Sequence, residues 1–521
     1  MPILGKLLKE GIKLRNSLEQ ERNPPYRLQR RQLLKHLLLC RNTHLGKSYG
    51  FDRIIEAFDR KDSQDRRFYT LYQAQVPLFN YEKIYREWWH RAQEGEKDVA
   101  WRGPVDYFAL SSGTSEAASK YIPVTKDMVR AIHRTSIRQI LSLSNFKEVH
   151  SKIYGKGMLM LGGSTHLNRR GTYFEGDLSG ITASQIPFWF QHFYKPGKKI
   201  AKNTDWDAKL NEITVQAPKW DIGFVVGVPA WIQIMMERVI DYHGLQNIHE
   251  IWPNLSVYTH GGVSFDPYRK SFEQLLGRPI TYIETYLASE GFIAFQAYPD
   301  REMRLVLNNG IFFEFVPFNE HNFTSEGDLY PHAQTLLMDE VEEGKDYAIL
   351  LSTCAGAWRY LIGDTVRFVS KERAEIIITG RTKHFLSLCG EHLSVDNMNR
   401  AIELVSQRLN IHVKEFTVAG IPYQTLFAHQ WYIGTDDSVA PEVVKQHLDE
   451  VLKELNDDYR VERAAALKEI LVEILPNALF YKWMEQKGKI GGQHKFPRVL
   501  KATLHQEWQD FLMQPPSKRV E

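Results

Sequence analysis

From about residue 105 to residue 380 the chain alternates between short apolar runs of strand character and helical patterns, and several of the runs end in glycine. The runs are GMLMLGG, IGFVVGVP, LSVYTHGG, PITYIETYLASEG, GIFFEFVP, YAILLST and AEIIITGR, with helical stretches such as PAWIQIMMERVIDYH between them. Runs of that length bounded by glycine read as strands, and strands alternating with helices require a large α/β domain with substantial sheet. Ligands in such sheets sit beyond the carboxyl ends of the strands, where these glycine turns fall. Ahead of this region, residues 1–100 read as mostly helical, YRLQRRQLLKHLLLC having apolar residues at helical spacing. After Gly380-Arg381 the pattern restarts in a β-α-β-β-α-β order. The expected domains are therefore 1–380 and a smaller α+β domain over 381–521, two units of unequal size being the default for 521 residues. Within the second domain, Ala440–Leu475 reads as one long helix broken near its middle.

Composition narrows the functional classes. The net charge of +3, with acids and bases interspersed, argues against nucleic acid or another polyanion as partner. No run of 18 or more apolar residues occurs, and the N-terminal stretch has basic residues mixed into its apolar ones, so neither a membrane span nor a signal peptide is expected. Cys40, Cys354 and Cys389 are far apart and form no CxxC pair, which fits reduced thiols in the cytoplasm rather than a zinc site or disulfide framework. Asn254-Leu-Ser and Asn322-Phe-Thr match a glycosylation pattern that has no meaning without secretion. The 19 histidines show no ligand spacing such as HExxH.

Two motifs are decoys. Arg41–Ser48, RNTHLGKS, ends like a phosphate-binding P-loop, but its first glycine is replaced by Arg41 and a helical pattern precedes it instead of a strand. Gly46–Gly50, GKSYG, matches a nucleophile elbow with the same missing context.

Five pieces carry chemistry. In YFALSSGTSEAASKYIPVT, the backbone around Gly113 and the hydroxyls of Ser111, Ser112, Thr114 and Ser115 suit a loop around phosphate oxygens, with Lys120 adding a cation. In the second, Gly261-Gly262 follows a strand and would let a flat ring lie on the backbone. Thr285-Tyr286 comes later in it, where Tyr286 could stack on that ring and Glu290 could hold Mg²⁺ through oxygen. The third is WRYLIGDTVRF, where Asp364 ends an apolar run and suits a pair of ribose hydroxyls. The fourth is IIITGRTK with Arg381. The fifth is the glycine-rich GKIGGQHKFPRVL with Lys495. Singly, each is equally a turn, a strand end, a linker or a surface loop.

In order, they resemble the adenylate-forming superfamily of acyl-CoA synthetases, luciferases and peptide-synthetase adenylation domains. Within it, SSGTS…K, TYLASEG, YLIGDTVRF and GGQHKFPR look most like the Gretchen Hagen family of auxin- and jasmonate-conjugating acyl acid amido synthetases, which also occurs in bacteria. GVPAW at Gly227–Trp231 and the overall length agree, and the resemblance runs from about residue 30 to 510. It implies an adenylate-forming large domain with a small C-terminal lid. It also implies ATP and Mg²⁺ as cofactors, and a carboxylic acid and an amine, most simply an amino acid, as substrates. By resemblance Ser111–Ser115 would hold the β- and γ-phosphates, Gly261, Gly262, Thr285 and Tyr286 would frame adenine, and Glu290 would bind Mg²⁺. Asp364, with Arg381 beside it, would hold ribose, and Lys495 would reach the α-phosphate.

The segment GGSTHLNRRGTYFEGDLSGITASQIPFWF offers no residue that maps onto an acyl-acid site, so the acid stays open. Phe188, Trp189, Phe190 and Trp231 suit an apolar acid and suit a core equally. Two other readings share the same motifs: an acyl-CoA ligase using the same adenylation step, and a non-catalytic nucleotide-binding relative. The sequence is silent on oligomeric state.

Overall fold

The computed structural model describes residues 24–59, 62, 65–112, 119–187, 190–263, 265–324, 327–383, 385–391, 393–487 and 496–514. The chain divides into two compact units, Met1–Leu110 with Tyr121–Thr382, and Ser111–Lys120 with Lys383–Glu521. Among the described residues no helix is long and apolar enough to cross a membrane.

The first unit is built on an eleven-stranded sheet. Its order runs Ile311–Pro317, Asp346–Thr353, Tyr360–Ser370, Glu375–Arg381, Met303–Leu305, Gly291–Gln296, Thr281–Ala288, Val257–Gly261, Ile222–Gly227, Gly157–Leu161 and Tyr194–Lys195. The last five are parallel to one another and the rest pair antiparallel. The parallel half follows from its connections. The helices Pro229–His243 and Asp266–Gln274 each return the chain to start the neighbouring strand in the same direction, and Trp206–Gln216 leads from the edge strand Tyr194–Lys195, past Gly157–Leu161, to Ile222–Gly227. Ile222–Gly227 begins with four buried residues in a row, as a strand covered on both faces must. The helix after it opens on a proline in its first turn and closes on Gly244 at φ +64°, the left-handed cap that glycine adopts without steric penalty. The direction changes at Thr281–Ala288, which turns at Ser289-Glu290 into the antiparallel Gly291–Gln296.

The N-terminal helices pack on the antiparallel half. Helix Pro25–Cys40 buries Leu33 and Leu37 in the main core. Its Gln29 donates Nε2 to the carbonyls of Leu307 (2.7 Å) and Ile311 (3.1 Å) and accepts from Phe313 N–H at 2.7 Å. The P-loop look-alike is a short helix, His44–Ser48. Thr43 Oγ1 caps it by accepting from Gly46 N–H at 3.0 Å, and Gly46 is so tight against Cys40 that a Cβ there would lie 2.1 Å from its carbonyl oxygen. A separate four-stranded sheet holds Ser119–Val124, Tyr107–Ser112, Tyr173–Gly176 and Asn168–Arg170 in that order.

The second unit has a four-stranded sheet, Leu467–Leu475, Leu426–Thr435, Val413–Tyr423 and Val499–Leu500, with helices Val395–Leu409, Pro441–Leu455, Asp457–Ala464, Asn477–Gln486 and Ala502–Met513. One expectation fails here. The stretch read as one long helix broken near its middle does break, at Asn456, but its helical part stops at Ala464, and Leu467–Leu475 is a strand parallel to Leu426–Thr435. Asn456 (φ −145°) breaks the helix and its side chain caps the next one, and the β-branched pattern of LKEILVEIL then finds an open sheet edge.

Candidate active site

Several of the residues read as functional lie together where the large sheet changes direction. Gly261 ends its strand in register with Thr285, and a Cβ on it would lie 2.2 Å from the Thr285 carbonyl oxygen. Only glycine admits that approach. Gly262 follows at φ +85°, exposed. Thr285 is held from a helix the motif reading did not include: Gln139 on Lys126–Ser142 donates Nε2 to Thr285 Oγ1 at 2.5 Å.

Tyr286 is buried, and its hydroxyl donates to a carboxylate oxygen of Asp364. The other oxygen of Asp364 faces Arg381 Nε at 3.0 Å. Asp364 and Arg381 are an antiparallel pair on neighbouring strands, so the ion pair follows from register. Gly363 at φ +92° turns the strand just before Asp364, and Thr382 N–H donates to its carbonyl at 2.8 Å. Burial pushes the Tyr286 phenol well up, and Asp364 adds to it. Burial works against the Arg381 charge, but Asp364 first, then Tyr286, Glu290 and Tyr360, outweigh it and raise its pKa.

Glu290 occupies the turn after Thr281–Ala288 and is 8% exposed. Burial raises the pKa of Tyr360 well above its usual value, and the charge of Glu290 adds to it. Motif reading does not single out Tyr360, since it stands in WRYLIGD as one more apolar residue. Chemically, the group offers acceptors for hydroxyls at Asp364, one carboxylate at Glu290 and a guanidinium at Arg381 to balance them.

The other predicted residues are placed as follows. Ser111 and Ser112 end the strand Tyr107–Ser112, and Lys120 lies at the start of Ser119–Val124. Gly113, Thr114, Ser115 and Lys495 lie outside the described residues, as do Phe188 and Trp189. Phe190 packs against a secondary core cluster with Phe224 and Val257. Trp231 packs on Trp206 with ring centroids 5.0 Å apart.

Comparison with known proteins points one way. The solved GH3.15 acyl acid amido synthetase superposes with a TM-score of 0.54 at 15% identity, over 93% of this chain and 92% of that one. A 2-hydroxyisobutyryl-CoA ligase in complex with 2-HIB-AMP and CoA superposes with a TM-score of 0.56 at 11% identity, over 92% and 91%. At such identities these share the fold. Among curated relatives, an indole-3-acetic acid-amido synthetase of Arabidopsis thaliana is 25% identical over 49% of this chain and 46% of its own length, so the match spans about half of that relative. A jasmonoyl–L-amino acid synthetase of Oryza sativa subsp. japonica is 23% identical over 66% of this chain and 71% of its own. The GH3 family N-terminal domain matches residues 14–213, its central domain residues 304–376 and its C-terminal domain residues 396–503. With all three domains present in order, the chain belongs to the GH3 family.

Proposed function

We propose that this chain is an ATP-dependent acyl acid amido synthetase. The ordered match to all three GH3 domains carries the reading. A carboxylate of the acid attacks the α-phosphorus of ATP, and pyrophosphate leaves. An amine, in this reading that of an amino acid, then attacks the carbonyl carbon of the acyl-adenylate and AMP leaves.

The residues support each requirement. Asp364 has acceptors for the ribose hydroxyls, and Arg381 Nε pairs with it at 3.0 Å. Gly261, Gly262, Thr285 and Tyr286 are assigned to adenine. Ser111–Ser115 and Lys120 are assigned to the β- and γ-phosphates, and Lys495 to the α-phosphate, where a cation offsets the repulsion between two anions. Mg²⁺ belongs to the same reading. Among the described residues no cluster of three or more His, Cys, Asp or Glu could hold a metal alone. Mg²⁺ delivered with ATP needs only one or two carboxylates besides phosphate oxygens and water, and the buried Glu290 meets that need. Bound there, the ion would neutralise charge that develops on the phosphates. The small domain, 381–521 in this reading, would close over the site and keep water from the adenylate. A cytoplasmic location is part of the proposal, in keeping with Cys40, Cys354 and Cys389 as free, buried thiols.

The test is carboxylate-dependent ATP–pyrophosphate exchange with Mg²⁺ over aromatic, indolic, cyclopentanone and fatty acids, followed by separate additions of amino acids and CoA. Exchange with an acid, then amide formation with an amine, is expected. Thioester formation with CoA in place of amide would overturn the amide step, and the fold likeness to a CoA ligase makes that arm necessary. No exchange in protein that binds ATP would overturn the reading in favour of a non-catalytic relative. Lys495→Ala is expected to fold and bind ATP yet lose most adenylate formation. Undiminished exchange would remove Lys495 from its assigned role.

A further inference from the structure

The strand Thr281–Ala288 loses regular main-chain support at the residues assigned to adenine. On one side its pairing with Val257–Gly261 ends at Gly261–Thr285. On the other, Phe295 pairs with Thr285 and Ala294 with Tyr286, but Leu287 pairs with Phe292, so Ile293 is the extra residue of a bulge. A bulge interrupts the ladder and bends the strand that carries it. Side chains take over there. Successive residues of a strand point to opposite faces, and each of these two is tied by its side chain. Tyr286 donates to Asp364, which belongs to the same sheet. Thr285 Oγ1 accepts from Gln139 Nε2 at 2.5 Å, and Gln139 comes from outside the sheet, on helix Lys126–Ser142.

That helix is docked without Gln139. It buries Met128, Val129 and Ile132 in the main core. Thr125, at its N-cap, donates Oγ1 to the Cys354 carbonyl at 2.5 Å. Asn309 Nδ2 donates to the Ala131 carbonyl (2.7 Å) and to Thr135 Oγ1 (2.8 Å), and Arg138 Nη1 donates to Asn308 Oδ1 (2.6 Å). Gln139 itself is 9% exposed. Burying a primary amide costs free energy that an apolar side chain of the same size would not. Among the described residues the amide has one partner, Thr285 Oγ1. The contact therefore serves the strand end rather than the helix.

We propose that Gln139 is a positioning residue for ATP: its amide holds Thr285, and through Thr285 it fixes the strand end that frames the base. The inference rests on the reading of Thr285 and Tyr286 as adenine-binding residues. A glutamine that merely fastened the helix would change stability and leave nucleotide binding alone. One that touched the carboxylic acid would change the KM for the acid instead.

A double-mutant cycle separates these roles. Gln139→Met keeps the length and loses the donor, and Thr285→Val keeps the shape and loses the acceptor. ATP affinity is read by calorimetry, and the KM values for ATP and for the acid by ATP–pyrophosphate exchange. Each single variant is expected to weaken ATP binding by about two- to tenfold, as for one hydrogen bond. In Gln139→Met the KM for ATP should rise by a similar factor and by more than the saturating rate falls, with the KM for the acid within about twofold of wild type. The double variant should bind ATP as the weaker single variant does, because both changes remove the same bond. Losses that multiply in the double variant would overturn the link through Thr285. Gln139→Met with a lower melting temperature and wild-type ATP affinity would overturn the proposal in favour of a fastening role. A raised KM for the acid beside wild-type ATP affinity would overturn it in favour of contact with the acid. Calorimetry needs no turnover, so wild type without exchange would bring down the synthetase reading while the cycle still decided this inference. Wild type that binds no ATP would bring down both.

Discussion

Asp364 already has a partner on each oxygen, the Tyr286 hydroxyl and Arg381 Nε. A carboxylate has about four acceptor sites, so the two ribose hydroxyls can be received without displacing either partner. Asp364→Ala is expected to weaken ATP binding by roughly ten- to a hundredfold, read by calorimetry, and unaltered affinity would remove it from the ribose site. His36 gives a prediction about acid. Its ring is fully buried against Trp101 and Trp358 and contacts the Gln32 amide at 2.7 Å. Burial lowers its pKa to about 3, with Lys35 adding to the effect and Asp127 opposing it. The folded value lies below the unfolded one, so the folded state favours neutral imidazole. That stabilisation is complete above about pH 6.5 and is lost as pH falls toward 3, at roughly 1.4 kcal/mol per unit. Through this ring alone, urea unfolding at pH 5 should give about 2 kcal/mol less stability than at pH 7, and His36→Phe should lessen the slope, His249 and His505, also lowered by burial, keeping part of it. Asp364, Arg381 and Glu290 stand out in the sequence because each adjoins a glycine, and Tyr286 because it opens the stretch YLASEG that leads to Glu290. Tyr360 and Gln139 do not. Their contacts join segments far apart in the chain, and neither residue type announces a polar role.

At the scale of elements, legibility tracks burial. Ile222–Gly227 and Ile311–Pro317 read as strands because both faces are covered and the runs are almost wholly apolar, Glu314 being the exception, paired with Arg359. Pro229–His243 reads as a helix because its start and stop signals are in the sequence. Leu467–Leu475 does not, because its apolar spacing serves a helix as well as a strand and its partner Leu426–Thr435 decides between them. The register between Val257–Gly261 and Thr281–Ala288 carries its own prediction. Gly261→Ala puts a methyl 2.2 Å from a neighbouring backbone oxygen, so the strands must part. A loss of about 1–3 kcal/mol in denaturant unfolding is expected, together with weaker ATP binding because Thr285 and Tyr286 move with the strand. Unchanged values of both would mean that the strand edge yields freely.

Across the whole molecule, the sheet joins two grammars. Its parallel half is assembled from strand–helix–strand units that are local in sequence, whereas its antiparallel half is closed by segments from the other end of the unit. The Gln29 side chain is pinned to Leu307, Ile311 and Phe313, and Arg359 to the carbonyls of Gln73 and Val76. A ribosome adds about 5–20 residues each second. Helix Pro25–Cys40 therefore leaves the tunnel on the order of tens of seconds before the strand that will cover Leu33 and Leu37 exists. During that interval its apolar face has only the neighbouring helix Phe51–Glu56 to pack on and lacks the strand Ile311–Pro317, so the growing chain is a client for holdase chaperones. Stalled nascent chains ending before residue 307 should be cut by protease within this helix, while chains with residues through 360 exposed should resist.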